Sequence, residues 1–321
     1  MNPKIFGFAA VFAAVPALML ATPATAKIPC STAKMVVPWK AGGDTDLVFQ
    51  VVAKAINESG FKPKLQIVHI SGQSGNKGAK EVKNAKPDGC TLLAIHESQI
   101  TTFLAGRVDF TWNAFEPVSL LTYTPSVLGA SAKVSFSDIK GLVDYAKKNP
   151  DGLKVGVTTG STSQFFNLVI EDETQTKFKY VPYEGTRERL TAILANNVDV
   201  GEMNILTAKK YIQEGSMKAL GIATEKRDPL MPELKTMKEQ GVNVVYGLNR
   251  GVVAPKGTPA DVIKTYEAAF AKAMTHKDVV AHMNKAGTWI VYKNAADYKK
   301  FFEQSFAQHV KVAKKIGMYK G

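Results

Sequence analysis

Two turns of this chain combine small polar residues in a way that suits the binding of an anion. The first turn contains Gly42, Gly43, Asp44 and Thr45, and the second contains Thr159, Gly160, Ser161, Thr162 and Ser163. Each follows a short apolar run and precedes apolar residues at helical spacing, which predicts a strand, a turn and the start of a helix. Unpaired backbone N–H groups and the positive end of the helix dipole attract an anion at such a place. One such turn is often ordinary helix capping, but two in symmetric positions indicate a clamp for a carboxylate.

Two larger side chains are candidates for the same site. Trp39 comes just before the first turn, where we expect its ring to form a floor for the ligand; the alternative is a core residue at the edge of a lobe. Arg250 stands in a segment that we expect to cross between two lobes, where its guanidinium can offer two parallel hydrogen bonds to a carboxylate. The alternative for Arg250 is a partner in a surface ion pair.

The sequence contains one weak acid–base pair and no metal motif. His96 follows a strand-like run and can face the cleft, which makes it a candidate ligand contact, and Glu97 lies next to it. A hydrolase or lyase would use this pair for proton transfer, but no nucleophile or metal-ligand set accompanies it. The glycine-rich stretch 72–78 fits no phosphate-binding loop or nucleophile elbow and is interpreted as a plain turn. We therefore expect no catalysis, no cofactor and no metal.

Strand-like and helical stretches alternate along most of the chain, which predicts an α/β fold with mostly parallel, doubly wound sheets. The predicted strands are Met35–Val37, Leu65–Ile70, Thr91–Ile95, Leu153–Thr158, Phe178–Val181, Val198–Glu202, Ala219–Ala223 and Asn243–Tyr246. Two further helices are predicted near Ala260–Met274 and Ala295–Ile316. Because 321 residues exceed the usual size of one domain, we expect two lobes with a cleft between them.

The lobe boundaries are predicted from two strand-like segments that no helix connects, Leu120–Ala130 and Tyr246–Val253. Two crossings between lobes make the first lobe discontinuous. We predict a first lobe formed by residues 27–125 and 251–321, and a second lobe formed by residues 126–250.

Residues 1–26 have the features of a secretory signal. Lys4 provides a positive start, an apolar stretch follows, and Ala24-Thr25-Ala26 is a cleavage motif. The alternative, an uncleaved membrane anchor, is disfavoured because Pro16 interrupts a stretch already shorter than the roughly 20 residues that span a bilayer. We predict cleavage after Ala26. Export weakens a nucleic-acid role for the net charge of +13 and leaves an anionic surface or an acidic ligand as partners.

Cys30 and Cys90 are the two cysteines of the chain, which is too few for a disulfide scaffold or a zinc site. Each comes just before a predicted strand. If these strands are parallel neighbours, their starts meet at one edge of the sheet, and a disulfide is within reach in an oxidising compartment. The alternative is a pair of unbridged buried thiols.

The order of several motifs resembles the periplasmic solute-binding proteins of tripartite tricarboxylate transporters, a group that includes the Bug proteins. The matching motifs are Val37-Pro38-Trp39 with Gly42-Gly43 and Thr45-Asp46, Pro87-Asp88-Gly89, Phe115–Leu120, Gly160–Ser163, Val181–Gly185, Val198–Val200 and Arg250–Pro259. Together they span nearly all of the chain that follows the predicted signal.

This resemblance implies a Venus-flytrap architecture, with two lobes that close on a ligand and catalyse nothing. It implies that a ligand carboxylate meets the N–H groups around the first turn, that the second turn binds from the other lobe, and that Tyr183 and Asn204 line the cleft. It also implies a periplasmic location and delivery of the ligand to membrane transporter subunits. We expect a monomer; a ligand-reporting partner of a membrane sensor is an alternative role.

The chain departs from the commonest family pattern in three places. Lys40 and Asp44 flank the first glycines, Cys90 replaces a usual tyrosine, and His96-Glu97 replaces small polar residues. Asp44 puts a carboxylate at the binding loop itself, which leaves the identity of the ligand open. We predict a small organic carboxylate, di- or tricarboxylate, aliphatic or aromatic.

Overall fold

The computed structural model describes residues 28–320, which fold into two β-sheets with helices packed on them. The predicted signal sequence lies outside the described residues. We call each sheet with its helices a lobe. The sheets are built from β1 (Thr32–Val37), β2 (Lys64–His69), β3 (Thr91–Ile95), β4 (Phe115–Pro125), β5 (Val127–Ser131), β6 (Lys154–Val157), β7 (Lys179–Pro182), β8 (Val200–Met203), β9 (Met217–Ile222), β10 (Gly247–Pro255) and β11 (Trp289–Lys293).

The strand orders define two mixed sheets. The first lobe has the order β11-β4-β10-β3-β1-β2, and the second has β7-β6-β8-β5-β9. Parallel pairing is confined to β1, β2 and β3 in the first sheet and to β6, β7 and β8 in the second. The strands that adjoin the crossings, β4, β5 and β10, pair antiparallel with their neighbours, because they enter the sheet without a crossover helix.

The helices follow the predicted alternation. They are α1 (Asp44–Glu58), α2 (Asn76–Lys83), α3 (Ser98–Leu104), α4 (Ile139–Lys148), α5 (Thr162–Thr174), α6 (Thr186–Leu194), α7 (Ile205–Gln213), α8 (Ala260–Met274), α9 (Lys277–Lys285) and α10 (Ala295–Lys315). Within residues 28–320, no helix combines the length and the apolar character needed to cross a membrane.

The first lobe shows why the sequence pattern produces this packing. Val48, Val52 and Ile56 form one apolar stripe on α1 and are almost fully buried against the sheet. Met35 and Val37 on β1 belong to the same hydrophobic core. β1 alternates between exposed and buried residues over Thr32–Met35 and is buried throughout from Met35 to Val37, where both faces of the sheet are covered.

The chain passes between the lobes at Ser126 and Tyr246. The Ser126 N–H donates to the Tyr246 carbonyl (3.1 Å), the Tyr246 N–H donates to the Ala223 carbonyl (3.0 Å), and the Ala223 N–H donates to the Ser126 carbonyl (2.9 Å). These hydrogen bonds join the crossing segments side by side. The predicted strand Asn243–Tyr246 is wrong, because this segment forms no ladder and pairing starts at Gly247.

The predicted disulfide is confirmed, and the alternative of two free thiols is wrong. Cys30 and Cys90 are bonded to each other. The strands that follow them, β1 and β3, pair in parallel, and the Lys34 N–H donates to the Cys90 carbonyl (2.9 Å). The bond therefore joins the starts of two neighbouring strands.

Candidate functional site

A cavity of about 60 Å³ lies between the two lobes. One water molecule needs about 10–15 Å³ by this measure, so the cavity has room for a few water-sized groups. The sequence-predicted residues that line it are Trp39, Gly43, Asp44, Thr45, His96, Ser161, Thr162, Ser163 and Arg250. The structure therefore brings together the two turns and the arginine of the second crossing.

Three helix N-termini open onto this cavity, one more than the sequence analysis predicted. The first turns of α1 and α5 contribute from opposite lobes, as expected, and the start of α6 adds Gly185, Thr186 and Arg187. The first N–H groups of each helix lack intrahelical partners, and the positive helix ends attract negative charge. Their convergence favours an anion, although the wall also carries the carboxylates of Asp44, Glu184, Glu188 and Glu202.

The first turn is shaped by Gly42 and Asp46. Gly42 has a positive φ of 78°, and its N–H donates to the Asp46 carboxylate (2.8 Å). The other oxygen of Asp46 contacts His69 Nε2 (2.7 Å). Asp46 thus closes the turn, and α1 begins at Asp44 after the N-cap residue Gly43, which makes no side-chain cap hydrogen bond. Gly42 itself is exposed and does not line the cavity.

The second turn is held by side chains of its own helix. The Thr158 N–H donates to the Ser163 hydroxyl (2.9 Å), and the Gly160 N–H donates to the Gln164 side chain (2.6 Å). Gly160 has a φ of 73°, and the side chain of Arg107 from the first lobe packs where a Cβ would be. Thr159 and Gly160 shape the turn but are not lining residues of the cavity.

Arg250 is buried, with 2% of its surface exposed. Its Nε donates to the Thr45 hydroxyl (3.1 Å), and its Nη1 donates to the Thr124 hydroxyl (2.7 Å). Burial lowers the pKa of the guanidinium, and the carboxylates of Asp44, Glu202 and Glu97 oppose this effect. The alternative of a surface ion pair is wrong, because the residue is enclosed and its fork lines the cavity.

Arg189 and Glu202 form a buried ion pair in the cavity wall that the sequence analysis missed. Arg189 Nη2 lies 3.1 Å from a Glu202 carboxylate oxygen, and Arg189 Nη1 donates to the Thr158 hydroxyl (2.9 Å). The other oxygen of Glu202 accepts from the Ser126 hydroxyl at the first crossing (2.8 Å). The pair therefore links the start of α6 to β8 and to the crossing.

Trp39 and His96 stack on each other, with ring centroids 5.3 Å apart and planes inclined by 11°. Both line the cavity, and Trp39 also packs against the core of the first lobe. Burial lowers the pKa of His96 to about 3, with a further contribution from Arg250, so the imidazole is neutral. Trp39 therefore packs against the core of the first lobe and also lines the cavity, and its role as a floor for the ligand stays a prediction.

Glu97 does not act together with His96. Its carboxylate accepts from the backbone N–H (3.0 Å) and the side-chain amide (2.7 Å) of Asn249 on β10. Burial raises the pKa of Glu97 to about 7. His96 Nδ1 instead accepts from the Ser98 N–H (3.2 Å). The two side chains of the proposed acid–base pair therefore serve different local structures.

Tyr183 and Asn204 do not line the cavity, in contrast to their expected positions. The ring of Tyr183 lies close to Gly156 on β6. Asn204 caps α7, since its side-chain oxygen accepts from the Thr207 N–H (2.7 Å). Both follow strands of the second sheet, but their side chains point to neighbouring elements. Within residues 28–320, no group of three or more potential ligands is placed to hold a metal ion.

Comparison with known proteins identifies the family. Residues 50–318 match the family described as tripartite tricarboxylate transporter family receptor, TctC. The chain belongs to this family. This finding confirms the resemblance inferred from the sequence motifs.

Three solved structures of known proteins are similar to this TctC chain over most of its length. The periplasmic binding protein BugD is 26% identical with a TM-score of 0.83, covering 90% of this chain and 99% of its own. MatC of Rhodopseudomonas palustris with bound malate is 27% identical with a TM-score of 0.82 (88% and 98%). R. palustris Rpa4515 with adipate is 26% identical with a TM-score of 0.84 (89% and 97%). The fold is the Venus-flytrap fold of periplasmic binding proteins.

The lobes of this TctC protein touch across the mouth of the cleft. The Ser74 hydroxyl donates to the Thr159 carbonyl (2.6 Å), and Arg187 Nη1 donates to the Ala41 carbonyl (3.0 Å). Lys40 and Glu188 form an ion pair beside these bonds. Ser74 lies in the stretch interpreted from sequence as a plain turn, which instead contacts the opposite lobe. The structure is therefore a closed form of the flytrap.

Proposed function

We propose that this protein is a periplasmic solute-binding protein that captures a small organic carboxylate and delivers it to the membrane subunits of a tripartite tricarboxylate transporter. The observation that supports this most strongly is the convergence of three helix N-termini and Arg250 on one small cavity between two lobes. Backbone N–H groups and a guanidinium fork are the donors that recognise carboxylates in proteins.

The size of the ligand follows from the size of the cavity. A space of about 60 Å³ in the closed form suits a molecule of a few carbon atoms and excludes a polymer or a protein segment. Two similar proteins were solved with malate and with adipate, which are both small dicarboxylates. We therefore propose a small dicarboxylate or a related acid as the ligand.

The proposed role includes the signal sequence and the lobe boundaries that were predicted from the sequence. Residues 1–26 would be removed after Ala26 on export, and the mature protein would act in the periplasm as a monomer. The first lobe would comprise residues 27–125 and 251–321, and the second would comprise residues 126–250. Opening at the crossings near Ser126 and Tyr246 would admit the ligand, and closure would bury it.

Capture without catalysis is part of this proposal. The residues considered for acid–base chemistry are used elsewhere: Glu97 accepts from Asn249, and His96 stacks on Trp39. Incubation with the bound acid, followed by chromatography, checks this point. Recovery of the unchanged acid is expected, and a product that accumulates with time would overturn it.

A thermal-shift assay tests the proposed function. Ligand-free protein is heated with a panel of small carboxylates and with their uncharged amides. A ligand that binds the native state alone stabilises it by about 2.7 kcal/mol at a hundredfold excess over Kd, so a true ligand raises Tm visibly. We expect at least one acid to raise Tm while its amide does not; a panel without any effect would overturn the proposal.

A further inference from the structure

Asp44 places a carboxylate inside the cavity without a protein partner. It is the first residue of α1, it is half-buried, and it lines the cavity. Among residues 28–320, no side chain or backbone N–H makes a hydrogen bond or ion pair with its carboxylate. Burial raises the pKa of Asp44, Glu202 adds to this effect, and Arg250 and Arg189 oppose it. A carboxylate in this position lacks a stabilising positive neighbour in direct contact.

The other charged groups of the cavity wall do not supply that neighbour. Arg189 is bonded to Glu202, and Glu202 uses its second oxygen on the Ser126 hydroxyl. Arg250 is almost fully buried and holds Thr45 and Thr124 with Nε and Nη1, so Nη2 is left without a protein acceptor in the described part of the chain. Asp44 and Arg250 influence each other electrostatically but form no ion pair.

Lys40 pairs with Glu188, Arg187 donates to the Ala41 carbonyl, and Glu184 is exposed to solvent. Among the buried and half-buried groups of the described residues that line the cavity, Asp44 is therefore the carboxylate without a partner, and Arg250 is the cation with a free nitrogen. A buried charge is costly unless an opposite charge pairs with it. A ligand that carries only carboxylates satisfies Arg250 and the helix ends but places a like charge beside Asp44. A ligand that carries both charges satisfies both groups at once.

We propose that the ligand is a zwitterion, a small carboxylic acid that also carries an ammonium or guanidinium group. Its carboxylate lies against Arg250 and the helix N-termini, and its cationic group lies against Asp44. This inference rests on the proposed function, because it names the class of acid that the same site captures.

The test uses calorimetric titration of the ligand-free protein with matched pairs of acids that differ by one ammonium group. The pairs are aspartate with succinate, glutamate with glutarate, and alanine with propionate. We expect the amino acid of at least one pair to bind at least tenfold more tightly than its deaminated partner. Asp44→Asn and Asp44→Ser should each reduce this ratio by at least tenfold.

The control variant is Asp144→Asn, which removes the same charge from an exposed position on α4 and should leave the ratio unchanged. If the deaminated acids bind as tightly as the amino acids, or if both Asp44 variants keep the original ratio, the inference is overturned and the proposed function stands. If neither class of acid binds, the proposed function is overturned, and this inference with it. Circular dichroism and melting of the ligand-free variants show that they are folded.

Discussion

Replacement of Arg250 should weaken ligand binding far more than it weakens folding. Arg250 lines the cavity, is 2% exposed and has one nitrogen, Nη2, free of acceptors among the described residues. Truncation of one partner of a buried, hydrogen-bonded charge pair costs roughly 2–5 kcal/mol of binding. Because about 1.4 kcal/mol corresponds to a factor of ten, we expect Arg250→Met to raise Kd by about 30-fold to several thousandfold, mostly through faster release.

The effect on folding is smaller because two contributions oppose each other. The variant loses the hydrogen bonds to Thr45 and Thr124, each worth about 0.5–1.5 kcal/mol net. It also removes a charge that burial disfavours, which offsets part of this loss. We therefore expect the ligand-free Arg250→Met protein to melt within a few degrees of the parent.

Calorimetric titration of four proteins with the acid found in the thermal-shift assay measures this prediction. Arg250→Lys should recover part of the lost affinity, since lysine keeps the charge without the planar fork. Arg227→Ala is the control, because Arg227 is exposed and pairs with Glu239 away from the cavity. An unchanged Kd in Arg250→Met would refute the reasoning and remove Arg250 from the site.

Three further predictions concern residues that do not line the cavity but stabilise the fold or the contact between the lobes. Replacing Cys30 and Cys90 by serine opens a loop of 60 residues and should lower the free energy of unfolding by about 4 kcal/mol in the chain-entropy model. Urea unfolding measures this change, and equal midpoints for the parent and the variant would contradict it. Glu97 has its pKa raised from 4.5 to about 7, so the stability that its neutral form contributes is lost as the pH rises through about 7. The parent should lose about 2.5 kcal/mol from this group between pH ~5 and ~8, and Glu97→Gln should lack that loss in melting curves. Parallel curves would refute the assignment. Ser74→Ala removes a hydrogen bond between the lobes, so the ligand should dissociate up to about tenfold faster in a stopped-flow experiment. An unchanged rate would show that this bond does not hold the cleft closed.

Much of the secondary structure and part of the site could be predicted because local sequence patterns specify them. The cysteines precede strands that pair in parallel, and this placement, together with an oxidising compartment, put a disulfide within reach. Gly42 and Gly160 stand in turns between an apolar run and a helical period, and the structure gives both a positive φ. The helix starts that follow them were predicted as anion-binding elements from this strand–turn–helix pattern.

The missed parts depend on tertiary contacts. Arg189 follows Arg187 and Glu188 in a stretch that is typical of an exposed helix face, and its burial against Glu202 appears only in the folded protein. The same strand–glycine–helix pattern as in the other turns is present at Gly185, and this signal could have indicated the third helix N-terminus. Asn204 directly follows a strand, where an asparagine can serve either as a ligand contact or as a helix cap. Its hydrogen bond with the Thr207 N–H shows that it caps the helix.

The most direct test of the central claim is mass spectrometry of the small molecules released when protein purified from an exporting host is denatured. The proposed function predicts one small organic carboxylate at close to one molecule per chain, and it predicts that the same acid raises Tm when added back to the refolded protein. Release of a neutral or phosphorylated compound at that stoichiometry, with no response to any carboxylate, would contradict the claim.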